Sequence, residues 1–216
     1  MHRYRIQHIS TAKGRGMIAV IKRIKPGMLI VEEAALLSIP VTTPWAQWTD
    51  QAQMAWFLNE SAGGTTHIRD AVNRLSTEKQ QQFGVLHTSS NANTDVGRVE
   101  RNCYSMENGE NGTTITVFND ISLINHSCRP NAVFSLESNL PRAKLYAIAT
   151  IPRDEEIVIE YCATDHLFLS AQGRQTDSPT GIYSFRCDCQ SCNADQAESD
   201  RNRAEPLAQS RQLGWN

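Results

Sequence analysis

The chain has 216 residues, of which 40% are hydrophobic and 20% charged, and its formal charge is -2 at neutral pH. That composition excludes fibrous, collagen-like and low-complexity chains, and the near-neutral balance gives no general attraction to a polyanion, so nucleic acid is not the expected partner. No apolar run reaches the roughly 18 residues a membrane-spanning helix needs. The start, MHRYRIQHIS, lacks the apolar segment of a secretory signal, so nucleus or cytoplasm is the expected compartment.

Residues 4–40 read as strands and tight turns. Residues 4–9 form a short strand candidate, and Lys13-Gly14-Arg15-Gly16 is a turn. The apolar run 17–24 is turned by Lys25-Pro26-Gly27 onto 28–33 as a predicted β-hairpin, because proline presets φ and glycine accepts φ > 0. From about 42 to 83 the texture changes. Trp45, Trp48, Met54, Trp56, Phe57, Leu58, Ile68, Val72 and Leu75 approximate helical spacing, with Gly63-Gly64 between two helices. The polar stretches 88–93 and 107–113 read as loops. Strand patterns then follow at 114–118, 132–136, 143–149 and 156–161, with turn-formers between them. The run Asp154-Glu155-Glu156 reads as a solvated turn, and 195–216 as a polar tail. The predicted fold class is mainly β with a helical insert.

The sequence carries six cysteines, three of them in Cys187-Asp188-Cys189-Gln190-Ser191-Cys192. Reducing conditions favour metal ligation over disulfides for such a set, and a short loop of thiolates suits zinc, with Zn–S bonds of about 2.3 Å. Tetrahedral zinc needs a fourth ligand, for which Cys103, Cys128, Cys162, His126 and His166 are candidates. Cys128 is the best placed on local chemistry. It sits in Asn125-His126-Ser127-Cys128-Arg129-Pro130-Asn131, a rigid polar loop after the apolar residues 121–124.

Read in order, the segment 13–17, the asparagine-histidine string 125–131, the strand 155–161 and the cysteine triplet resemble the SET-domain protein lysine methyltransferases. The triplet and the preceding Tyr183-Ser184-Phe185-Arg186 are most similar to the post-SET zinc segment of the SET and MYND subgroup. No cysteine precedes Cys103, so the MYND finger of that subgroup is not expected, and neither is its long C-terminal helical domain. The resemblance implies a β-clip SET fold of small sheets, with a C-terminal segment threaded beneath the loop of the asparagine-histidine region. It implies a SET domain over 4–165 with an insert at about 42–95, a post-SET segment at 166–194 and a tail beyond.

The same resemblance implies transfer of a methyl group from S-adenosylmethionine to a lysine amine of a histone or other protein. Zinc would be held by Cys128, Cys187, Cys189 and Cys192. Tyr161 is the implied catalytic residue and Tyr183 the wall of the lysine channel. Cofactor contacts fall to Lys13, Gly14, Arg15, Gly16, Asn102, Asn125, His126, Tyr161 and Phe185. Cys103 and Cys162 read as small buried apolar groups, and the tryptophans as core. Two other function classes set against this are a catalytically silent, zinc-clamped protein-binding module and a zinc-finger nucleic-acid binder. The charge and the single cysteine site disfavour the latter.

Overall fold

The computed structural model describes residues 2–11, 13–42, 47, 49, 56–57, 64–88, 94–107, 112–137, 140–161, 168–176, 187–193 and 200. Strands β1 (Tyr4–Ser10) and β2 (Gly14–Ala19) form an antiparallel hairpin whose turn is released by Gly14, at φ +68°. After the short β3 (Arg23–Ile24), Pro26 and Gly27, at φ +80°, turn the chain into β4 (Leu29–Ala34). The alternating β5 (Leu37–Val41) buries Leu37, Ile39 and Val41 and exposes Ser38 and Pro40, as an edge strand bearing a proline should.

The predicted 17–33 hairpin does not form. β2 pairs with β1, β3 pairs with β11 (Ile151–Pro152), and β4 pairs with β10 (Arg142–Ala147). The Pro26-Gly27 turn reverses the chain, yet each flanking strand finds a partner more than a hundred residues away. Turn chemistry dictates direction and leaves pairing to burial. The expected Lys13–Gly16 turn is shorter than read, since Gly14, Arg15 and Gly16 already belong to β2.

Three helices follow in the described part of the insert and beyond it. α1 (Gly64–Asn73) buries Ile68 and Val72, one turn apart; α2 (Thr77–Gly84) is capped by Ser76 and buries Phe83. α3 (Asp95–Asn102) carries no long apolar periodicity and was not expected. It starts where the Thr94 hydroxyl accepts from Gly97 N at 3.1 Å. β6 (Cys103–Glu107) and β7 (Thr113–Val117) continue into the sheet β5-β7-β6, and these helices pack on it.

A 3-10 turn at Ile121–Leu123 leads to β8 (Asn125–His126). Its entry is held by Glu33, whose carboxylate accepts from the backbone N–H of Asn119 at 2.6 Å and of Asp120 and Ile121 at 3.0 Å. Burial pushes that carboxyl up from its ordinary range despite the three donors. β9 (Ala132–Leu136), β10 and β4 make a second antiparallel sheet, and β12 (Glu156–Ile159) enters a mixed sheet of order β1-β2-β12-β8. β8 runs parallel to β12, with Asn125 opposite Val158 and His126 opposite Ile159. Two short helices, α4 (Ala171–Thr176) and α5 (Gln190–Asn193), end the described chain. Among the described residues no helix is long and apolar enough to cross a membrane.

Two apolar cores result. One joins β5, β6 and β7 to Trp56, Phe57 and the helices; the other joins β2, β3, β4 and β9 to β12 around Phe118, Ile121 and Ile124. Ile6 of β1 packs against both.

Candidate functional site

The segment 125–131 is bound along β12 on both sides of the motif. Ser127 N donates to Ile159 O at 2.9 Å, while the Asn131 side chain donates to Glu156 O at 2.8 Å and accepts from Val158 N at 2.9 Å. An asparagine amide thereby substitutes for a missing strand neighbour. β12 is followed directly by Glu160 and Tyr161, so their position is set by the same bonds.

Tyr161 is fastened at both ends. Its backbone N donates to His126 Nδ1 at 3.2 Å, and its hydroxyl donates to Ile124 O. Burial, and then the charge of Glu156, push its phenol well above the usual range, so the hydroxyl keeps its proton at every physiological pH. It lines a cavity of about 70 Å³ with Arg101, Asn102, Cys103, Tyr104, Ser122, Phe134 and Glu160. Among the described residues that space is large enough for the end of a side chain.

His126 also faces the cysteines. Since its Nδ1 accepts from Tyr161, the ring proton lies on Nε2, which donates to Cys128 Sγ at 3.3 Å. Cys128, Cys187, Cys189 and Cys192 are all buried, and their sulfurs lie within 4.8 Å of one another. Four sulfurs arranged tetrahedrally at about 2.3 Å from one ion stand about 3.8 Å apart. Cys128 Sγ is 3.7 Å from both Cys187 Sγ and Cys192 Sγ. The sulfur donor set and this spacing are compatible with zinc. Without a cation the thiols compete for protons. Cys128, which gives hydrogen bonds to Cys187 and Cys189, is pushed well above the thiol range, while Cys189, which receives them from Cys128 and Cys187, is held far below it.

The glycine segment meets the asparagine on the other side of β12. Asn125 Nδ2 donates to Glu156 Oε1 at 2.7 Å and to Arg15 O at 3.2 Å. A Cβ on Gly16 would lie 2.7 Å from Asn125 Nδ2 and 2.8 Å from Glu156 Oε1. Glycine is required there by this close approach, whereas Gly14 is required by its φ. Lys13 Nζ lies 3.3 Å from Glu156 Oε2 and 3.8 Å from Asp188 Oδ1, between the cysteines and β12.

The SET domain family model matches residues 14–162, which include the glycine segment, the asparagine-histidine string and Tyr161. The chain belongs to the SET domain family. Among similar proteins, "Histone-lysine N-methyltransferase ASHR1" of Arabidopsis thaliana is 37% identical over 79 residues, covering 37% of this chain and 15% of that protein. "Histone-lysine N-methyltransferase SMYD3" of Homo sapiens is 35% identical over 86 residues, covering 40% of this chain and 19% of its own length. The chain thus matches less than a fifth of either relative. The solved structure of CpSET8 from Cryptosporidium aligns with 74% of this chain and 57% of its own, at 19% identity and a TM-score of 0.39.

In this SET domain Lys13 and Asn125 converge on Glu156 beside Gly16, and Asn125 also donates to Arg15 O; Asn102 and Tyr161 share the cavity; His126 joins Tyr161 to Cys128. Three placements depart from what the residue types suggested. The Asn102 amide donates to His87 O and Arg98 O, both at 2.7 Å, so it braces the cavity wall. The Arg15 guanidinium turns outward onto Val85 O. Glu156 belongs to the site and not to a solvated turn, and its signal was its position one strand residue pair before Val158 in an otherwise apolar run. Cys103 lies in the helical core, as a small apolar group should. Tyr183, Phe185, Cys162 and His166 lie outside the described residues, as do Trp45, Trp48 and the tail, Asp200 excepted.

Proposed function

We propose that the chain is an S-adenosylmethionine-dependent protein-lysine N-methyltransferase acting on a lysine of a histone or other protein, with a structural zinc on Cys128, Cys187, Cys189 and Cys192. The observation that carries this reading is Tyr161: a permanently protonated hydroxyl on the wall of a side-chain-sized cavity, its backbone held by the histidine of the motif. Membership of the SET family and the likeness to curated lysine methyltransferases support the reaction class.

When bound, S-adenosylmethionine supplies an electrophilic methyl group. Lys13, the backbone of Gly14, Arg15 and Gly16, Asn125, His126, Tyr161 and Phe185 would hold it, with Asn102 bracing the adjoining wall. The chemistry available suits its aminoacyl end, since Lys13 and Glu156, 3.3 Å apart, offer a cation and a carboxylate to a group bearing both charges. The substrate amine, with an ordinary pKa of about 10.4, must be neutral to attack. A narrow apolar channel disfavours its ammonium form and aligns its nitrogen, a task to which Tyr161 and Tyr183 contribute as walls. The Tyr161 hydroxyl orients and polarises; its raised pKa excludes it as a general base at neutral pH.

The test is incubation of purified protein with labelled methyl donor and extract from its own source, with Tyr161→Phe alongside. The variant is expected to lose roughly 100-fold in turnover and about 1 kcal/mol or less in stability, with cofactor affinity nearly kept. Equal turnover in the two proteins removes Tyr161 from the reaction. Cofactor and metal binding without any labelled product replaces the enzyme with a protein-binding module.

A further inference from the structure

The unusual linker after Tyr161 holds a buried arginine. The Arg174 side chain, on α4, is 0% exposed. It donates from Nη1 to Leu169 O at 2.5 Å and from Nη2 to Ser191 O at 3.3 Å and Cys192 Sγ at 3.7 Å, while Nε makes no hydrogen bond among the described residues. Burying a guanidinium is costly unless a negative charge faces it. The carboxylate in reach, Asp200, stands 4.0 Å away and is already engaged, its Oδ1 accepting from Ala171 N at 2.7 Å.

Among the described residues a second source of negative charge is the cysteine cluster. Side chains that donate to its sulfurs include His126, on Cys128, and Arg174, on Cys192. A divalent ion with four thiolates carries a net charge of about minus two, all of it buried here. Four neutral thiols carry none, and would leave the guanidinium facing the Asp200 carboxylate at 4.0 Å.

We propose that Arg174 is a charge-neutralising support of the metal centre, a positioning residue whose buried guanidinium lowers the net charge of the metal tetrathiolate and fixes Cys192. This rests on the reading of the four cysteines as a metal site. It gives the linker a purpose: the 171–176 helix delivers a cation to the cysteine cluster.

The experiment uses the full chain loaded with zinc or cobalt and measures metal loss to a chromophoric chelator. Arg174→Met, which keeps the stem and removes the charge, is expected to hold metal 10–100-fold less tightly. Arg174→Lys, which keeps the charge, should lose less than the methionine variant, and Asp200→Asn, which keeps a helix-capping oxygen, should stay within about threefold of wild type. In the cobalt proteins the thiolate-to-metal charge-transfer band should move to lower energy in the order Arg, Lys, Met, since a cation hydrogen-bonded to sulfur stabilises its lone pair. That band is read on the Lys variant even if the Met variant does not fold. Wild-type affinity and an unmoved band in Arg174→Met and Arg174→Lys overturn the inference while leaving the metal site standing; a loss in Asp200→Asn equal to that in Arg174→Met also overturns it. A wild-type chain that binds no metal overturns the metal reading itself, and this inference with it.

Discussion

The two cores of the molecule are built on different physics. The helical core, with Phe83, Val99, Ile115 and Val117 among its buried residues, is held chiefly by apolar burial, and Cys103 is part of it. The second core ends in a polar seam: the Asn131 amide on β12, Asn125 on Glu156, His126 between Tyr161 and Cys128, and then four sulfurs and a guanidinium. Apolar packing tolerates exchange of like volumes, whereas each polar group in the seam has one geometry in which it is satisfied. The lobe that carries the chemistry is therefore the one least tolerant of change.

The sharpest way to separate the regions is Cys128→Ser. Metal per chain, measured by elemental analysis, is expected to fall from about one to near zero, and structural zinc of this kind is worth on the order of 10 kcal/mol or more in apparent binding energy. Protection of the 125–131 and 156–161 amides from hydrogen exchange should vanish, while that of α1 and α3 should survive in larger part. Equal loss in both regions would show one cooperative unit and dissolve the contrast.

Phe83→Ala tests the opposite side. Phe83 is 1% exposed, and its truncation is expected to cost about 3–5 kcal/mol in a urea titration with metal content unchanged. Asn131→Ala, which strands the Val158 N–H and the Glu156 carbonyl, should cost less, about 2–4 kcal/mol. It should nonetheless lower methyl transfer more than Phe83→Ala does under conditions where both variants are folded, because β12 aims Tyr161. The reverse ranking in activity would mean that the helical core, and not the seam, sets the position of the site.

Much of this was readable from residues. The strand patterns at 132–136 and 156–161 became β9 and β12 within two residues at each end, because alternation and bounding turns are local signals. The helix around Ile68 and Val72 followed from apolar spacing, whereas the Ser76 cap that starts a separate helix at Thr77 was not read from it. α3 was missed because its own apolar face is only Val96 and Val99, and its Thr94 cap follows a polar stretch that reads as loop. Arg174 and Glu156 were missed for a common reason. A charged residue is expected to be solvated until something of opposite charge, distant in sequence, is known to stand beside it.

From the sequence alone came the residue types able to ligate metal, the glycines, the strand periods and the family they compose, all of which depend on neighbours within a few positions. Folding alone decided that β4 pairs with β10, that Asn125 answers Glu156 and that Arg174 faces Cys192, since those contacts join residues 18 to more than 100 positions apart. Local conformational preferences act over one turn or one strand; charge compensation and hydrogen-bond satisfaction act over distance in space, and that distance exists only once the chain has closed on itself.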